Sequence, residues 1–413
     1  MTSPHPLGAR VMALIDDLSR HTDGPGLTRL YLSPAHKATA GAVLGLMRAA
    51  GLDARLDALG TVVGRWDSTT PSAKTLFIGS HLDSVVDAGR YDGPLGVIAG
   101  LVAIETLRRE GAALPFAVEL LAFGDEENVR FPTNLSTSQG VAGRYQTAWL
   151  DGKDAQGVTL REALVAFGGD PEGIAGLARK PEDTLGYLEI HIEQGPLLEA
   201  ENLPVGIVSG IAGITRGRCR VTGEAGHAGT VPMAMRRDAL AAAAEMIGAV
   251  ERIGATRTDT VATVGVCEAR PGASNVIPAE AIFTLDARSP DDVVRNAMVE
   301  GILAECGAIA AKRGVGFTFE PFMDSPATPM DAGFQSVLAE AAQSLQIPPR
   351  YLASGAGHDA IAMSAIGPAA MLFVRCKDGV SHNPAESITE ADADAAVRVL
   401  VEAVKLLGRR HAG

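Results

Sequence analysis

Residues 116–131 read FAVELLAFGDEENVRF. The first eight are apolar except for Glu119, a run of the length and composition of a buried strand. Three acids then arrive together, Asp125, Glu126 and Glu127. A strand apolar on both faces belongs to a parallel sheet covered by helices. Similar runs recur at 76–78, 185–192 and 369–374, and residues 95–110 have helical spacing between the first two strands. A last helix is expected near Thr389, with Asp392 three residues on as a capping-box partner. The βαβ rhythm predicts an α/β fold, a mostly parallel sheet with helices on both faces.

The rhythm changes in the middle of the chain. Residues 216–222 alternate as a strand, 238–253 form an Ala-rich helix, and 260–267 and 281–288 read as strands. Ser289-Pro290 looks like a cap followed by Pro at the first helical position, opening a helix to about Arg313, and 315–320 alternate again. This βαββαβ order is that of an α+β ferredoxin-like sandwich. Residues 213–326 are therefore expected to be a domain inserted into a discontinuous one made of 1–212 and 327–413. The Gly- and Pro-containing junctions at 210–213 and 325–329 would be the hinges.

Composition narrows the function classes. A chain of 413 residues is long enough for two or three domains, and 46% hydrophobic with 21% charged is an ordinary globular balance. The net charge of −13, from 36 basic and 49 acidic residues, argues against nucleic acid or an anionic membrane as the main partner. No apolar run reaches the ~18–20 residues that span a bilayer. The first twenty residues read as an amphipathic helix ending near Arg20 rather than as a leader. Four cysteines (219, 267, 306, 376) are scattered without a CxxC, which suits a reducing cytoplasm.

Chemistry-bearing residues gather where strands are expected to end. His81 and Asp83 follow the first strand, and Asp92 lies in the loop after it. Glu126 and Glu127 follow the second, His191 and Glu193 end the third, and His382 follows the late strand. Ligands of open α/β sheets bind beyond the carboxyl ends of the strands, so these groups can converge. Histidines with several carboxylates and no cysteine suit Zn²⁺, Mn²⁺ or a related divalent ion. Asp83 is placed to accept the free ring N–H of His81. Neighbours on extended chain point to opposite faces, so of Glu126 and Glu127 one would ligate and the other hold a water.

The stretches GSHLDSVVDAGRYDGPLGV, FGDEENVRF, EIHIEQGPLLE, GEAGHAGTVPMAMRRDAL, PGASNVIPAEAIFTLDAR, SGAGHDA and GVSHNPAE, in that order over residues 79–386, carry a family likeness. The chain resembles the hydantoinase/carbamoylase amidases, which include N-carbamoyl-L-amino-acid hydrolases, allantoate amidohydrolases and β-ureidopropionases. The wider clan holds aminoacylases and dinuclear metallopeptidases. The resemblance implies two divalent ions per subunit, Zn or Mn, with Co or Ni also suited to the donors. Asp92 would bridge them, His81 and His191 would bind one, and Glu127 and His382 the other. Glu126 would be the general base, and the Asp92–Gly93 peptide would be cis. The inserted domain would be lid and homodimer surface, with His227 reaching a neighbouring subunit's site to polarise the scissile carbonyl. Asn275 and Arg288 would clamp the substrate carboxylate, with Gln194 and the Gly357-His358 backbone nearby.

The implied reaction is release of ammonia from the terminal ureido or carbamoyl group of a small carboxylic acid. Allantoate is the first choice, because LPFAVELLAFGDEE and MLFVRCKDGVSHNPAE look most like that branch. An N-carbamoyl-L-amino acid or a β-ureido acid is the alternative. A clan aminoacylase or peptidase fits the NVIPAE and GHAGT segments less well, and a non-catalytic metal-binding protein has no need of Glu126. Asn128 stands where the family commonly has Gly, and Thr137-Ser138-Gln139 replaces a usual Gly-Ser-Arg, so pocket shape is expected to differ there. His5, His21, His36 and His411 match no motif and are assigned to solvent or packing.

Overall fold

The computed structural model describes residues 7–68, 70 and 73–412, so His5 lies outside the described residues. The chain divides into two compact units. The first is Met1–Ser209, Met330–Leu352 and Gly357–Gly413; the second is Gly210–Pro329 with Ala353–Ala356.

In the first unit the strand expected at 116–123 runs Ala117–Phe123, every residue buried. It lies beside Thr75–His81, then Thr184–Ile192, then Ala369–Val374, all four parallel. Flanking strands run antiparallel: Val62–Trp66 and Asp53–Leu56 on one side, Val205–Ile211 on the other. The sheet is thus parallel at its centre, where helices bury both faces, and antiparallel toward its edges. The helix Pro94–Arg109 buries 13 residues, more than a one-sided amphipathic helix would, because it packs between the sheet and the helices Leu7–Leu18 and Glu390–His411. Thr389 caps the last helix by accepting the Asp392 N–H at 3.1 Å. The reciprocal half of the expected capping box is absent: the Asp392 carboxylate instead takes the Thr389 hydroxyl and the Arg375 guanidinium, both near 2.7 Å.

Parallel pairing fixes what lies at one edge. His81 pairs with Phe123, the residue before the acidic turn, and His191 pairs with Phe373. The carboxyl ends of four strands therefore deliver their following loops to one edge of the sheet.

The second unit is an antiparallel sheet in the order Cys267–Arg270, Glu280–Ser289, Gly213–Thr222, Gly316–Ser325, with Val261–Thr263 also pairing to Glu280–Ser289. The helices Ala239–Gly254 and Asp292–Arg313 pack on it around Cys219, Phe283, Leu285, Met246 and Ile302. Two local expectations change. The strand expected at 260–267 is broken into two short ones. Ser289 ends a strand instead of capping a helix. The cap is Asp291, whose Oδ1 accepts the N–H groups of Val293 at 2.8 Å and Val294 at 3.2 Å. Among the described residues no helix is long and apolar enough to cross a membrane.

Candidate metal centre

His81 is the last residue of its strand and His191 the penultimate residue of another. Each ring has its Nδ1 on a backbone carbonyl: His81 on that of Asp83 at 3.0 Å, His191 on that of Ile192 at 3.0 Å. Carbonyls only accept, so both Nδ1 atoms carry a proton, and in the neutral rings both Nε2 atoms present a bare lone pair. Those two Nε2 atoms face each other at 3.4 Å, with Asp92 Oδ1 at 3.6 Å from one and 3.2 Å from the other. Three acceptors converging on one point fit a cation.

A second group repeats the arrangement. His382 Nε2 lies 3.3 Å from Glu127 Oε2 and 3.5 Å from Asp92 Oδ2. Glu127 Oε1 is buried with no hydrogen-bond partner. Within each group one ligand atom per residue lies within 4.8 Å of the others, and Asp92 contributes to both. The donor set and the orphaned Glu127 oxygen therefore fit divalent metal ions, with one Asp92 oxygen turned to each group.

The backbone is shaped for this. Gly93 has φ 86°, and a Cβ there would lie 2.5 Å from the His81 ring, so both the turn and the close approach require glycine. The Asp92–Gly93 peptide is not cis; among the described residues Arg270–Pro271 is the cis bond, and the Gly93 φ makes the turn instead. His382 holds φ 54° and Gln194 φ 56°, conformations uncommon outside glycine.

Asp83 does a different task from the one expected. Its carboxylate lies 3.5 Å from His81 Nδ1, farther than its own carbonyl. The two carboxylate oxygens instead accept the N–H groups of Glu126 and Glu127, each at 3.2 Å. The acids are not on extended chain. Asp125 turns at φ 60°, so the two glutamates are placed by a turn that Asp83 pins. Glu127 joins the second ligand group, and Glu126 joins neither. Asp125 is not solvated: it is fully buried on the Ser136 hydroxyl, and burial pushes its carboxyl up to about 7.

Charges reinforce one another at this edge. Burial pushes Glu126 well above the usual carboxylate range; His81 opposes the shift, and Glu127, Asp359 and Asp83 add to it. Burial works against a charged His81, yet Glu126, Asp83 and Asp92 outweigh it and raise the ring. Burial raises Asp92, but His191 and His81 overcome it and hold the carboxyl well below its ordinary value.

Gln194 is drawn to the same edge, its Nε2 donating to Asp92 Oδ2 at 2.9 Å and to Ser381 Oγ at 3.1 Å. His358 is buried with its ring edge-on to His191 at 4.4 Å, and Gly357 beside it is exposed. Three supporting residues escape a reading of the sequence. Ser381 donates to Asp92 Oδ2 at 2.6 Å. Glu386 accepts the N–H groups of Tyr91 at 2.7 Å and Asp92 at 3.1 Å, holding the backbone of the residue that both groups share. Glu189, buried behind the histidines, accepts from Tyr187, Ser80 and Ala360. Ser381 and Glu386 flank His382 in the GVSHNPAE stretch, the one signal that points to them.

His227, Asn275 and Arg288 belong to the second unit. A two-residue ladder pairs His227 with Val276, and Ala228 N–H donates to the Asn275 carbonyl at 3.0 Å, so His227 and Asn275 are neighbours there, both exposed. Arg288 forms a fork on Asp286 at 2.8 and 2.9 Å and also donates to the Gly355 carbonyl. Of its five N–H groups this leaves one on each terminal nitrogen. Of the unmatched histidines, His36 is buried, and His21 and His411 are partly or fully exposed.

The sequence pattern of peptidase family M20/M25/M40 matches residues 77–406. An N-carbamoyl-L-amino acid amidohydrolase of Geobacillus stearothermophilus is 39% identical over 379 residues, covering 92% of this chain and 93% of that one. An allantoate deiminase of Arabidopsis thaliana is 38% identical over 407 residues, covering 91% and 78%. A solved hydantoinase/carbamoylase family amidase from Burkholderia multivorans superposes with a TM-score of 0.91 at 32% identity, over 97% of this chain and 98% of that one.

Proposed function

The chain belongs to peptidase family M20/M25/M40, among its hydantoinase/carbamoylase amidases, and from that premise we propose that it removes ammonia from the terminal ureido or carbamoyl group of a small carboxylic acid. The class of enzyme, a hydrolase acting on carbon–nitrogen bonds, comes with the family. The observation that carries the reaction is the pair of ligand groups sharing Asp92, with the glutamate beside one of them left out of both.

A ureido carbonyl is a poor electrophile, and water at neutral pH is a poor nucleophile. Two divalent ions held by His81, Asp92, His191, Glu127 and His382 would polarise the carbonyl and acidify water. Glu126 is the base in this reading: its carboxylate, raised by burial, takes a proton from water and returns it to the departing nitrogen. Asp83 fixes the peptide that carries it. His227 is the proposed donor to the oxygen that becomes negative. Asn275, Arg288, Gln194 and the Gly357-His358 backbone are the proposed contacts of the substrate's carboxylate, Arg288 through its two remaining N–H groups.

Allantoate is the substrate we put first, because LPFAVELLAFGDEE and MLFVRCKDGVSHNPAE resemble that branch. The N-carbamoyl-L-amino acids stand second, supported by the 39% identical relative that covers 93% of its own length. Exposed apolar residues of the second unit, Met233, Met235, Val261 and Phe322 among them, support a homodimer formed through it. Four unpaired cysteines, three of them buried, suit a cytoplasmic protein.

The decisive experiment strips the protein of metal and measures ammonia release from allantoate and from N-carbamoyl-L-amino acids, before and after adding Mn²⁺ or Zn²⁺. Metal-restored turnover of allantoate is expected. Full activity in the stripped protein would sink the metal reading, and turnover of N-carbamoyl-L-amino acids alone would reverse the substrate order.

A further inference from the structure

The strands that end at His81, Phe123 and Ile192 begin at Thr75, Ala117 and Thr184, so their amino ends also share one edge of the sheet. A cavity of about 570 Å³ opens there, lined by Arg55, Arg65, Arg179 and Lys180 against Glu119 and Asp183. The chain as a whole carries −13, yet this cavity holds four cations and two acids.

Glu119 does not neutralise the cavity. It is 4% exposed at its floor, paired across the ladder with Arg65. Its Oε1 accepts from Arg65 Nη1 at 2.9 Å and its Oε2 from Arg179 Nη2 at 3.0 Å. One carboxylate thus serves two guanidinium groups. Exposed Asp67 takes a further N–H of Arg65, but Arg179 gives its remaining bond only to the Leu177 carbonyl. Arg55 and Lys180 form no ion pair among the described residues, and Asp183, exposed at the rim, pairs with neither. Phe77 lines the same cavity and is 1% exposed, so the charges stand over an apolar floor that screens them poorly.

We propose that this cavity is a binding site for a compact, multiply charged oxyanion, a phosphate-like group or a dicarboxylate, separate from the metal centre. Arg65 and Arg179, already fixed by Glu119, form a preorganised base for it, and Arg55 and Lys180 close on it from the rim. A seven-residue strand at about 3.3 Å per residue puts roughly 20 Å between this edge and the ligand groups, too far for one small ligand to reach both. The anion held here is therefore a second ligand and not the molecule being hydrolysed.

Calorimetric titration of the metal-loaded enzyme with sulfate, inorganic phosphate and succinate, at constant ionic strength set with NaCl, tests this. Saturable binding is expected for at least one of them, the tightest naming the chemical class. The double variant Arg55→Ala/Lys180→Ala, altered only at exposed side chains, should bind it at least about tenfold more weakly, roughly the effect of losing one charge-assisted contact. Its kcat and KM for the amidase substrate, measured alongside, should match the parent. Equal affinity in parent and variant would place the anion elsewhere and overturn the proposal, as would the absence of saturable binding to the parent.

Discussion

The two ends of the same parallel strands treat charge in opposite ways. At the amino end each oxygen of buried Glu119 has a guanidinium N–H. At the carboxyl end two histidine lone pairs face each other across Asp92, and a buried oxygen of Glu127 has no partner. Burying a polar atom without a partner costs free energy that folding alone gives no reason to spend. One end is arranged for the folded chain by itself, the other for something bound. The cavity beside Glu119 shows that the distinction is one of degree, since a fully paired carboxylate still leaves cations in excess.

The sharpest way to break the comparison is to exchange what each end loses on mutation. If Glu126 is the base proposed above, Glu126→Gln should lower kcat by roughly 10²–10⁴-fold, the usual worth of a general base, while the metal content stays at the parent value. Its thermal stability should not fall, because the change removes a carboxylate that burial disfavours in its charged form. Steady-state kinetics with metal analysis on the same sample checks this, and full activity with metals bound would remove Glu126 from the mechanism.

A pH effect of about 3 kcal/mol should come from beneath the acidic turn. His36 is buried with its Nδ1 accepting the Leu32 N–H at 3.1 Å, close under Gly124, and burial pushes it down to about 4. The unfolded chain takes up this proton near pH 6.5, the folded chain only near 4. Its contribution is therefore complete above pH 6.5 and is lost as pH falls from there toward 4, at about 1.36 kcal/mol for each pH unit between the two values. Asp57, pushed up to about 6 by burial, acts in the opposite sense, because its folded form holds the proton more tightly. Denaturant melts of parent and His36→Asn between pH 7 and 4 separate the two: the variant's stability should fall less steeply. Parallel curves would show that His36 titrates normally.

At the amino end, Glu119→Gln should cost stability and leave the chemistry alone. It removes the negative charge that two guanidinium groups share, 30% and 26% exposed, and turns an amide N–H toward one of them, although Arg65 keeps Asp67. Solvent screening at that exposure argues for about 2 kcal/mol, below the 3–5 kcal/mol of a fully buried broken pair. Urea melts should show the loss, and kcat per folded molecule should stay at the parent value. A fall in kcat larger than the fall in folded fraction would mean that the two ends are coupled through the strands.

The strands and their order of chemistry are legible in the sequence because parallel, doubly buried strands write themselves as continuous apolar runs. The candidate ligand residues are legible because they cluster just beyond such runs. What the sequence withholds is set by side-chain direction and by turns. The HxD spacing points to Asp83 as a partner of His81, but one backbone carbonyl intervenes and frees its carboxylate for Glu126 and Glu127. An acid among acids leaves Asp125 open to a supporting or a solvated role, and a left-handed turn that buries it on Ser136 favours the first. Ser381 and Glu386 carry no spacing rule, and only the fold brings them to Asp92.

The smallest expected effect tests the residue that departs from the family. Asn128 holds φ 54°, a conformation that glycine adopts freely and that asparagine tolerates best among the others. The glycine that the resemblance implies here and this chain's Asn would therefore answer one backbone demand. Asn128 adds something glycine has no atoms for: its Nδ2 donates to the Glu126 carbonyl at 2.6 Å, and its Oδ1 accepts the Leu135 N–H at 3.0 Å. The side chain thus clasps the peptide of the proposed base to the far side of its loop. Asn128→Gly keeps the φ and loses the clasp, so kcat should fall by about three- to tenfold, the worth of roughly one hydrogen bond, with KM little changed. Asn128→Ala loses the clasp and also strains the backbone, so the same fall in kcat should come with a further loss of about 1 kcal/mol in stability. If the glycine variant matches the parent in kcat while the alanine variant does not, the backbone angle alone positions Glu126, and the asparagine is a substitute for glycine with no task of its own.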